Sequence, residues 1–416
     1  MNIFRTINLL KGLVYDYDFR RQTGFILAMI VLFIELPLQN ILLYQESYWG
    51  FSENIRMFIR LIIDIPIIGV LFFFFFTDLL QKKTDKRIKV TFIITLLVVI
   101  QAIIIILVNW NLEKLQSFNN SNLKVFFWYI SYFIIGYFIT GDISKLSKLK
   151  LLIISAQVLM IAQIIVFFDL ETISINLEDL NKTPYLHLRL GNSFAIWSIL
   201  ILSLVNKTKR LLLYFLFLLF LFAYSSRGVF YSFLIILPII ISPYIVEYFN
   251  YILIGFLVAI ILILTLFPVI SEHRMFSILI CDDLSLEYRV SIMEKNLPDL
   301  YENWLLGDYY GFSKFAPPDS NYIHNIVSIW RHFGIIPFLL IISLFIIKSF
   351  DIKFPLQNST SISENMLLIY YIYFLILILF AKSYIYYYYF LIFGMQCPQY
   401  LKKKITHSFV LKKMFQ

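Results

Sequence analysis

His324 is the residue of this chain whose neighbours suit it best for chemistry, because it lies between a polar, proline-containing loop and a long apolar run. Residues 317–334 predict a helix that begins at Ile323, continues to about Ile347 and carries His324 on its first turn. The unpaired N–H groups of a first helical turn are mildly electropositive. Three loop residues are suited to capping this helix: Asp319, Ser320 and Asn321. A histidine there suits proton transfer beside an anion, and the alternative is an ordinary polar residue at a membrane surface.

Three arginines are the other candidates for chemistry. Arg227 lies in a Ser-Ser-Arg-Gly turn between two apolar runs, where its charge is costly unless it is paired or faces a wet cavity. Arg189 lies where a polar segment enters an apolar run, and Arg289 lies in a long polar loop. Each has an ordinary alternative, as a solvated or surface-reaching arginine. Because the guanidinium fork matches phosphate oxygens and stays charged near a membrane, the arginines and His324 together predict a diphosphate site.

Arg331 is given a structural role instead. It follows His324 by seven residues, which on one continuous helix would put both side chains on one face, about 10 Å apart along the axis. The sequence also contains two acidic residues within apolar runs, Glu35 and Asp64. We predict that Arg331 pairs with one of these carboxylates and does not bind substrate.

The composition is that of a membrane protein with several spans. The 416 residues are 60% hydrophobic and 15% charged, whereas soluble domains are about 25% charged. The net charge of +9 forms no basic stripe with interleaved aromatic residues, so nucleic acid is not an expected partner. The sequence has no H-E-x-x-H pattern, no paired cysteines, and neither P-loop nor dinucleotide-binding glycines. We therefore expect neither a metal site nor a cofactor.

The apolar runs predict an all-α, polytopic fold with about twelve membrane helices in a single domain, 1–416. Each crossing needs about 20 apolar residues. Lysines and arginines concentrate in alternate connections, so the positive-inside rule places both termini in the cytoplasm. The predicted helices cover 25–43, 61–80, 90–108, 124–141, 151–169, 191–205, 211–224, 228–246, 250–270, 323–347, 366–380 and 383–397.

The same topology places one long connection on the outer side, between the ninth and tenth helices. It covers 271–322 and contains both charged and apolar residues. Loops of this length are usually functional or disordered. Residues 285–297 have the pattern of an amphipathic helix that lies at a membrane surface. The outer side is therefore where we expect the functional site.

The order of several segments resembles the O-antigen polymerase and O-antigen ligase superfamily, a group of membrane-embedded glycosyltransferases with lipid-linked donors. These segments are Arg189-Leu190-Gly191-Asn192, Ser226-Arg227-Gly228, Tyr288-Arg289 with Asn303-Trp304-Leu305-Leu306-Gly307, and His324-Asn325 with Gly334. The chain departs from the family pattern after Gly307 and after Gly334, where a second, closer glycine is usual. The resemblance covers 185–345 by motif and the rest of the chain by helix pattern.

The resemblance implies a GT-C-like bacterial polysaccharide polymerase in the cytoplasmic (inner) membrane, with its active site facing the periplasm. Donor and acceptor would be oligosaccharides on undecaprenyl diphosphate, and a chain-length-regulating co-polymerase is a candidate partner. Arg227 and Arg289 would bind the diphosphate, and His324 would act as the general base, without a metal. The implied substrate-binding residues are Arg189, Asn192, Tyr288, Asn325 and Asp319. The alternatives are an O-antigen ligase of the same superfamily and, from another class, a flippase or other transporter of lipid-linked oligosaccharides.

Overall fold

The computed structural model describes thirteen parts of the chain: 16–39, 42, 53–110, 116–140, 149–166, 168–169, 174–175, 186–205, 207–241, 284–309, 325–352, 362–383 and 385–396. These residues are mostly helical. Among them, four helices are long and apolar enough to cross a membrane: Tyr17–Leu38, Met57–Leu80, Lys86–Val108 and Gln116–Ile139. The architecture is compatible with the predicted all-α membrane protein. The ninth predicted helix, 250–270, lies outside the described residues.

The first half of the described chain forms helices α1 to α6. α1 is Tyr17–Phe33 and continues into a π-helical turn, Ile34–Leu38; α2 joins Glu53–Ile59 and Ile65–Leu80 through a second π-helical turn, Arg60–Asp64. Asp16 caps α1 by accepting a hydrogen bond from the Asp18 N–H at 2.9 Å. The remaining helices of this half are α3 Lys86–Val108, α4 Gln116–Ile139, α5 Lys150–Val166 and α6 Leu186–Leu204.

The second half contains shorter helices. They are α7 Lys207–Ala223, α8 Arg227–Ile235, α9 Leu237–Ile241, α10 Leu284–Glu302, α11 Val327–Phe333, α12 Ile335–Ser349, α13 Ile362–Phe380 and α14 Phe390–Gly394. α10 includes the segment 285–297, so the predicted helix within the long connection is confirmed as a helix. The predicted helix over 228–246 is divided at Ile236, just before Pro238.

Two further predictions about helices are wrong. The helix predicted over 151–169 ends at Val166, and a short antiparallel hairpin follows, with β1 Phe168–Asp169 paired to β2 Ser174–Ile175. The segment predicted as a helix over 383–397 contains a 3₁₀ turn, Tyr387–Tyr389, and only five residues of α-helix in α14. This segment packs flat on α4, where the rings of Phe390 and Tyr129 stack with centroids 4.0 Å apart. Packing of the aromatic side chains on α4 therefore favours this interrupted segment over one continuous helix.

The predicted continuous helix over 323–347 is also wrong. Gly334 separates α11 from α12 and has a φ of 83°, a conformation that favours glycine. The Cβ of any other residue at Gly334 would collide with the carbonyl oxygen of Leu305. The side chain of Asn325 accepts a hydrogen bond from Val327 N–H at 2.9 Å at the start of α11. The predicted caps Asp319, Ser320 and Asn321 lie outside the described residues.

Polar side chains from several helix ends meet at one end of the bundle, which we call the Arg20 end. Arg20 near the start of α1 pairs with Asp78 near the end of α2, with Nη2 and Oδ1 2.7 Å apart and both side chains fully buried. Lys348 near the end of α12 pairs with Asp351 at 2.9 Å, and Asp351 also pairs with Arg87 at the start of α3. The starts of α1 and α3 thus lie beside the ends of α2 and α12, as in a bundle whose helices alternate in direction.

Candidate functional site

The structure describes some of the predicted site residues and leaves others outside. Arg189 and Asn192 lie on α6, Arg227 is the first residue of α8, and Asn325 precedes α11. Tyr288 and Arg289 lie on α10, although their side chains are outside the described part. His324 and Asp319 lie outside the described residues altogether. The geometry that follows is therefore built from the segments adjoining these residues.

The segment that contains Arg189 and Asn192 packs directly on the turn that contains Arg227. A Cβ at Gly191 would lie 2.9 Å from the Cβ of Ser226, so only glycine allows this approach without a shift. Arg189 is exposed and Arg227 is half-buried. The contact joins two segments that are more than thirty residues apart in the sequence, and we call this end of the bundle the Arg227 end.

In the described part of these two segments, two buried polar atoms have no hydrogen-bond partner. They are the side-chain oxygen of Asn192, a residue that is 4% exposed, and the hydroxyl of Ser226, which is fully buried. Buried polar atoms are nearly always hydrogen-bonded, so each such atom calls for an explanation, such as a bound water or ligand. Asn192 was predicted to bind substrate; it adjoins Gly191 in the sequence, and its side-chain oxygen accepts no hydrogen bond from any described residue.

The end of α13 packs on the other side of the same turn. A Cβ at Gly228 would lie 2.6 Å from the Cβ of Ala381, which follows the last residue of α13. The next residue, Lys382, places its ammonium 5.6 Å from the ring centroid of Tyr386. Lys382, a further cation beside Arg189 and Arg227, therefore follows directly on the residue that contacts the Arg227 turn.

The start of α11 is attached to the end of α13 as well. The Ile326 N–H donates a hydrogen bond of 2.9 Å to the carbonyl of Ile378 in the last turn of α13. Ile326 follows Asn325, which itself follows His324 in the sequence. The structure thus brings the residue adjoining His324 to the Arg227 end, through contacts with a helix that the sequence did not link to the site.

The two glycine-containing turns of the resemblance also contact each other. The N–H of Ile335 donates to the carbonyl of Trp304 at 3.1 Å, and the N–H of Asp308 donates to the carbonyl of Arg331 at 2.6 Å. The indole of Trp330 donates to the same Trp304 carbonyl at 2.9 Å. The turn that ends α10, and with it the helix that carries Arg289, is therefore fixed to the break between α11 and α12.

Tyr309 fixes this turn to α4 from the other side. Its hydroxyl donates to the side-chain oxygen of Asn119 at 2.7 Å and accepts from the side-chain nitrogen of Asn122 at 3.1 Å. Burial raises the pKa of Tyr309 to about 12, so the donated proton is retained at physiological pH. Hydrogen bonds on both sides thus hold the C-terminal turn of α10 in place.

The structure corrects the partner predicted for Glu35. Its carboxylate receives two hydrogen bonds from Arg60, from Nε to Oε1 and from Nη2 to Oε2, both 2.9 Å. Arg331 is buried on α11 and its carbonyl binds the turn after α10. The prediction that Arg331 pairs with Glu35 or Asp64 is therefore wrong within the described part of the chain, where Glu35 binds Arg60 and no donor reaches Asp64.

Arg60 and a group of tyrosines were missed in the sequence. The rings of Tyr132 and Tyr388 lie 5.0 Å apart, and the charges of Glu35, Arg189 and Arg60 all act on the Tyr388 hydroxyl. Arg60 could have been selected from the sequence, because an arginine near an apolar run is a candidate functional residue. The run of four tyrosines at 386–389 can both pack against apolar helices and present hydroxyl groups to polar neighbours, because tyrosine has an apolar ring and a hydroxyl.

The Arg227 end therefore combines cations with unsatisfied polar atoms and tyrosine side chains. This combination suits an anionic ligand that also carries hydroxyl groups. Guanidinium groups bind phosphate. The amide of asparagine and the hydroxyls of serine and tyrosine form hydrogen bonds with the hydroxyls of a sugar. Among the described residues, no group of three or more His, Cys, Asp or Glu side chains is arranged to hold a metal ion. Comparisons of the chain with models of protein families, with curated proteins and with solved structures give no match.

Proposed function

We propose that this protein is a membrane-embedded glycosyltransferase of the O-antigen polymerase type. In this proposal about twelve helices of a GT-C-like fold cross the bacterial cytoplasmic membrane, with both termini in the cytoplasm. The active site faces the periplasm. The donor is a glycan on undecaprenyl diphosphate, and the acceptor is the sugar hydroxyl of another lipid-linked repeat unit.

One observation carries the proposal: segments far apart in sequence, whose order resembles that superfamily, come together at the Arg227 end. Gly191 packs on Ser226, Gly228 packs on Ala381, and Ile326 is hydrogen-bonded to Ile378. If the short motifs matched the superfamily only by chance, there would be no reason to expect their segments to lie in contact in the fold. Their meeting supports a shared site that contains Arg189, Arg227 and the residues next to His324.

The proposed reaction needs little more than these side chains. The bond between the anomeric carbon and the diphosphate oxygen breaks, and the anomeric carbon bonds to the acceptor oxygen. The acceptor proton passes to the imidazole of His324, which acts as the general base. Negative charge develops on the departing diphosphate, and Arg227 and Arg289 stabilise it in a site of low dielectric. A diphosphate leaves as an anion, so no general acid is required.

The other predicted site residues have binding roles in this proposal. Arg189, whose segment contacts the Arg227 turn, binds a phosphate or a sugar hydroxyl in this proposal. The free oxygen of Asn192 accepts a hydrogen bond from a hydroxyl of the substrate. Tyr288, Asn325 and Asp319 are assigned to the sugar part of donor and acceptor.

A transporter of lipid-linked oligosaccharide is the second candidate, and a specific observation favours it. Glu35 and Asp64 are buried ionisable residues within apolar helices, and such residues often mark ion pathways. A ligase of the same superfamily is the third candidate, because its donor chemistry is the same.

The surface polysaccharide of a deletion strain distinguishes these three functions. We expect a polymerase deletion to leave a single repeat unit on the lipopolysaccharide core or on its surface carrier. Accumulation of polymer on the lipid carrier would instead indicate a ligase. Complete loss of surface repeat units would indicate a transporter. Restoring the wild-type profile with the intact chain is the control, and either of the last two outcomes contradicts the proposal.

A further inference from the structure

Two carboxyl side chains lie buried between α1 and α2 beside one arginine. Glu35 is 2% exposed and Asp64 is fully buried. The Arg60 side chain is 42% exposed, and it binds both carboxylate oxygens of Glu35. Asp64 and Arg60 are the two end residues of one π-helical turn, and Glu35 lies in the π-helical turn of α1. π-Helical turns are rare and occur frequently at functional sites.

Asp64 differs from Glu35 in its hydrogen bonding. Among the residues that the structure describes, no donor gives a hydrogen bond to either of its carboxylate oxygens, although both are buried. Glu35, held by Arg60 from the same π-helical turn as Asp64, is the acidic side chain that faces the Asp64 carboxyl group. Ionised carboxylates accept hydrogen bonds and cannot donate them. The contact between the two carboxyl groups becomes a hydrogen bond only when one of them holds a proton.

The balance of charge leads to the same conclusion. With both carboxylates ionised, the two acids and Arg60 carry a net charge of −1 in the interior of the bundle, which is costly there. Among the described residues, the other titratable groups that interact with Glu35 and Arg60 are three tyrosines, which are neutral at physiological pH: Tyr132, Tyr387 and Tyr388. The charge of Arg189 also acts on Tyr388. One bound proton makes the group of Glu35, Asp64 and Arg60 neutral.

We propose that Glu35 and Asp64 form a proton-binding site in the interior of the bundle, in which the two carboxyl groups share one proton. The proton stays on the carboxyl group of Asp64, which donates a hydrogen bond to Glu35. Glu35 remains ionised and paired with Arg60. The Arg60 side chain reaches the bundle surface and so connects the buried site to that surface. The site is independent of the proposed glycosyl transfer, which uses neither carboxylate. Loss of the proton leaves a net negative charge between α1 and α2, so protonation is coupled to the packing of these helices.

Infrared spectroscopy of the purified full-length protein in lipid tests this site directly. At neutral pH we expect the C=O stretching band of a protonated carboxyl group in the wild-type protein. The band should be lost in Asp64→Asn and retained in Asp18→Asn, a control at an exposed carboxylate. A wild-type protein without the band, or a band that persists in Asp64→Asn, overturns the proposal. Loss of the wild-type band on adding sodium at constant pH would identify a sodium site instead and also overturns it.

Thermal stability gives a second readout. The amide of asparagine is neutral and donates a hydrogen bond to Glu35 as the protonated acid does. We therefore expect Asp64→Asn to unfold at the wild-type temperature or above it. Glu35→Gln leaves Arg60 without its ionised partner and should unfold at a lower temperature. An Asp64→Asn protein that fails to fold, or unfolds well below the wild-type temperature, shows that Asp64 must be ionised and contradicts the shared proton.

Discussion

Replacing His324 by alanine is expected to slow transfer by about 10²–10⁴-fold, which is the usual contribution of a positioned general base. Binding of the lipid-linked donor should be retained, because Arg227 and Arg289 remain in place. The residue that follows His324, Asn325, lies at the Arg227 end, at the start of α11. Purified variant and wild type are compared by the rate at which they extend a lipid-linked repeat unit. Donor affinity is measured separately on the same samples.

The comparison separates a base from a structural residue. A variant at normal level that binds donor but does not turn it over fits the proposed role. The rate should also respond to pH in the wild type and lose that response in the variant. A His324→Ala protein that extends the repeat at nearly the wild-type rate contradicts the proposed base and leaves His324 as a polar residue at the membrane surface.

Arg227→Lys is expected to lose about 10²–10³-fold in rate, comparable to removing one donor that stabilises developing negative charge. Lysine keeps the positive charge but lacks the planar fork that binds two phosphate oxygens at once. Arg227 lies at the start of α8, half-buried and held by the contacts of Ser226 and Gly228 with neighbouring helices. Because the turn is held in place, it cannot shift to compensate for the shorter and differently shaped lysine side chain.

Arg210→Lys is the matched control, since Arg210 lies near the opposite end of α7 from the Arg227 turn. We expect this variant to keep near-wild-type activity and thermal stability. Weakened donor binding in Arg227→Lys together with a normal Arg210→Lys supports a two-pronged contact with the diphosphate. Equal activity of Arg227→Lys and wild type would show that only charge matters at this position, against the proposed geometry.

Much of the helical content was predictable from the sequence, because long apolar runs in a membrane satisfy their backbone hydrogen bonds only as helices. The predicted runs 90–108 and 366–380 lie within α3 and α13. The break at Gly334 was not predictable from the run itself. It depends on the carbonyl of Leu305, a residue in a distant turn that occupies the space of a side chain. The segment around α14 departs from a helix because its aromatic residues pack on α4.

The candidate site was predictable in part. Arg189 and Arg227 were selected by their unusual position beside apolar runs, and the contact of Gly191 with Ser226 brings their segments together. The role of Arg60 could not be read from spacing, because an ionisable residue within a helix does not reveal its partner. Pairing of Arg60 with Glu35 depends on how α1 and α2 pack, and the same packing gives Asp64 no hydrogen-bond donor among the described residues.

The central claim is that this chain transfers a glycan from a lipid diphosphate to a sugar hydroxyl. Its most direct test uses the purified protein in lipid with a synthetic lipid-linked repeat unit and excess chelator, followed by mass analysis of the products. We predict a series of products that differ by one repeat unit, together with release of the lipid diphosphate. Unchanged repeat units after addition of the protein, or products that form only when magnesium or manganese is restored, would contradict the account.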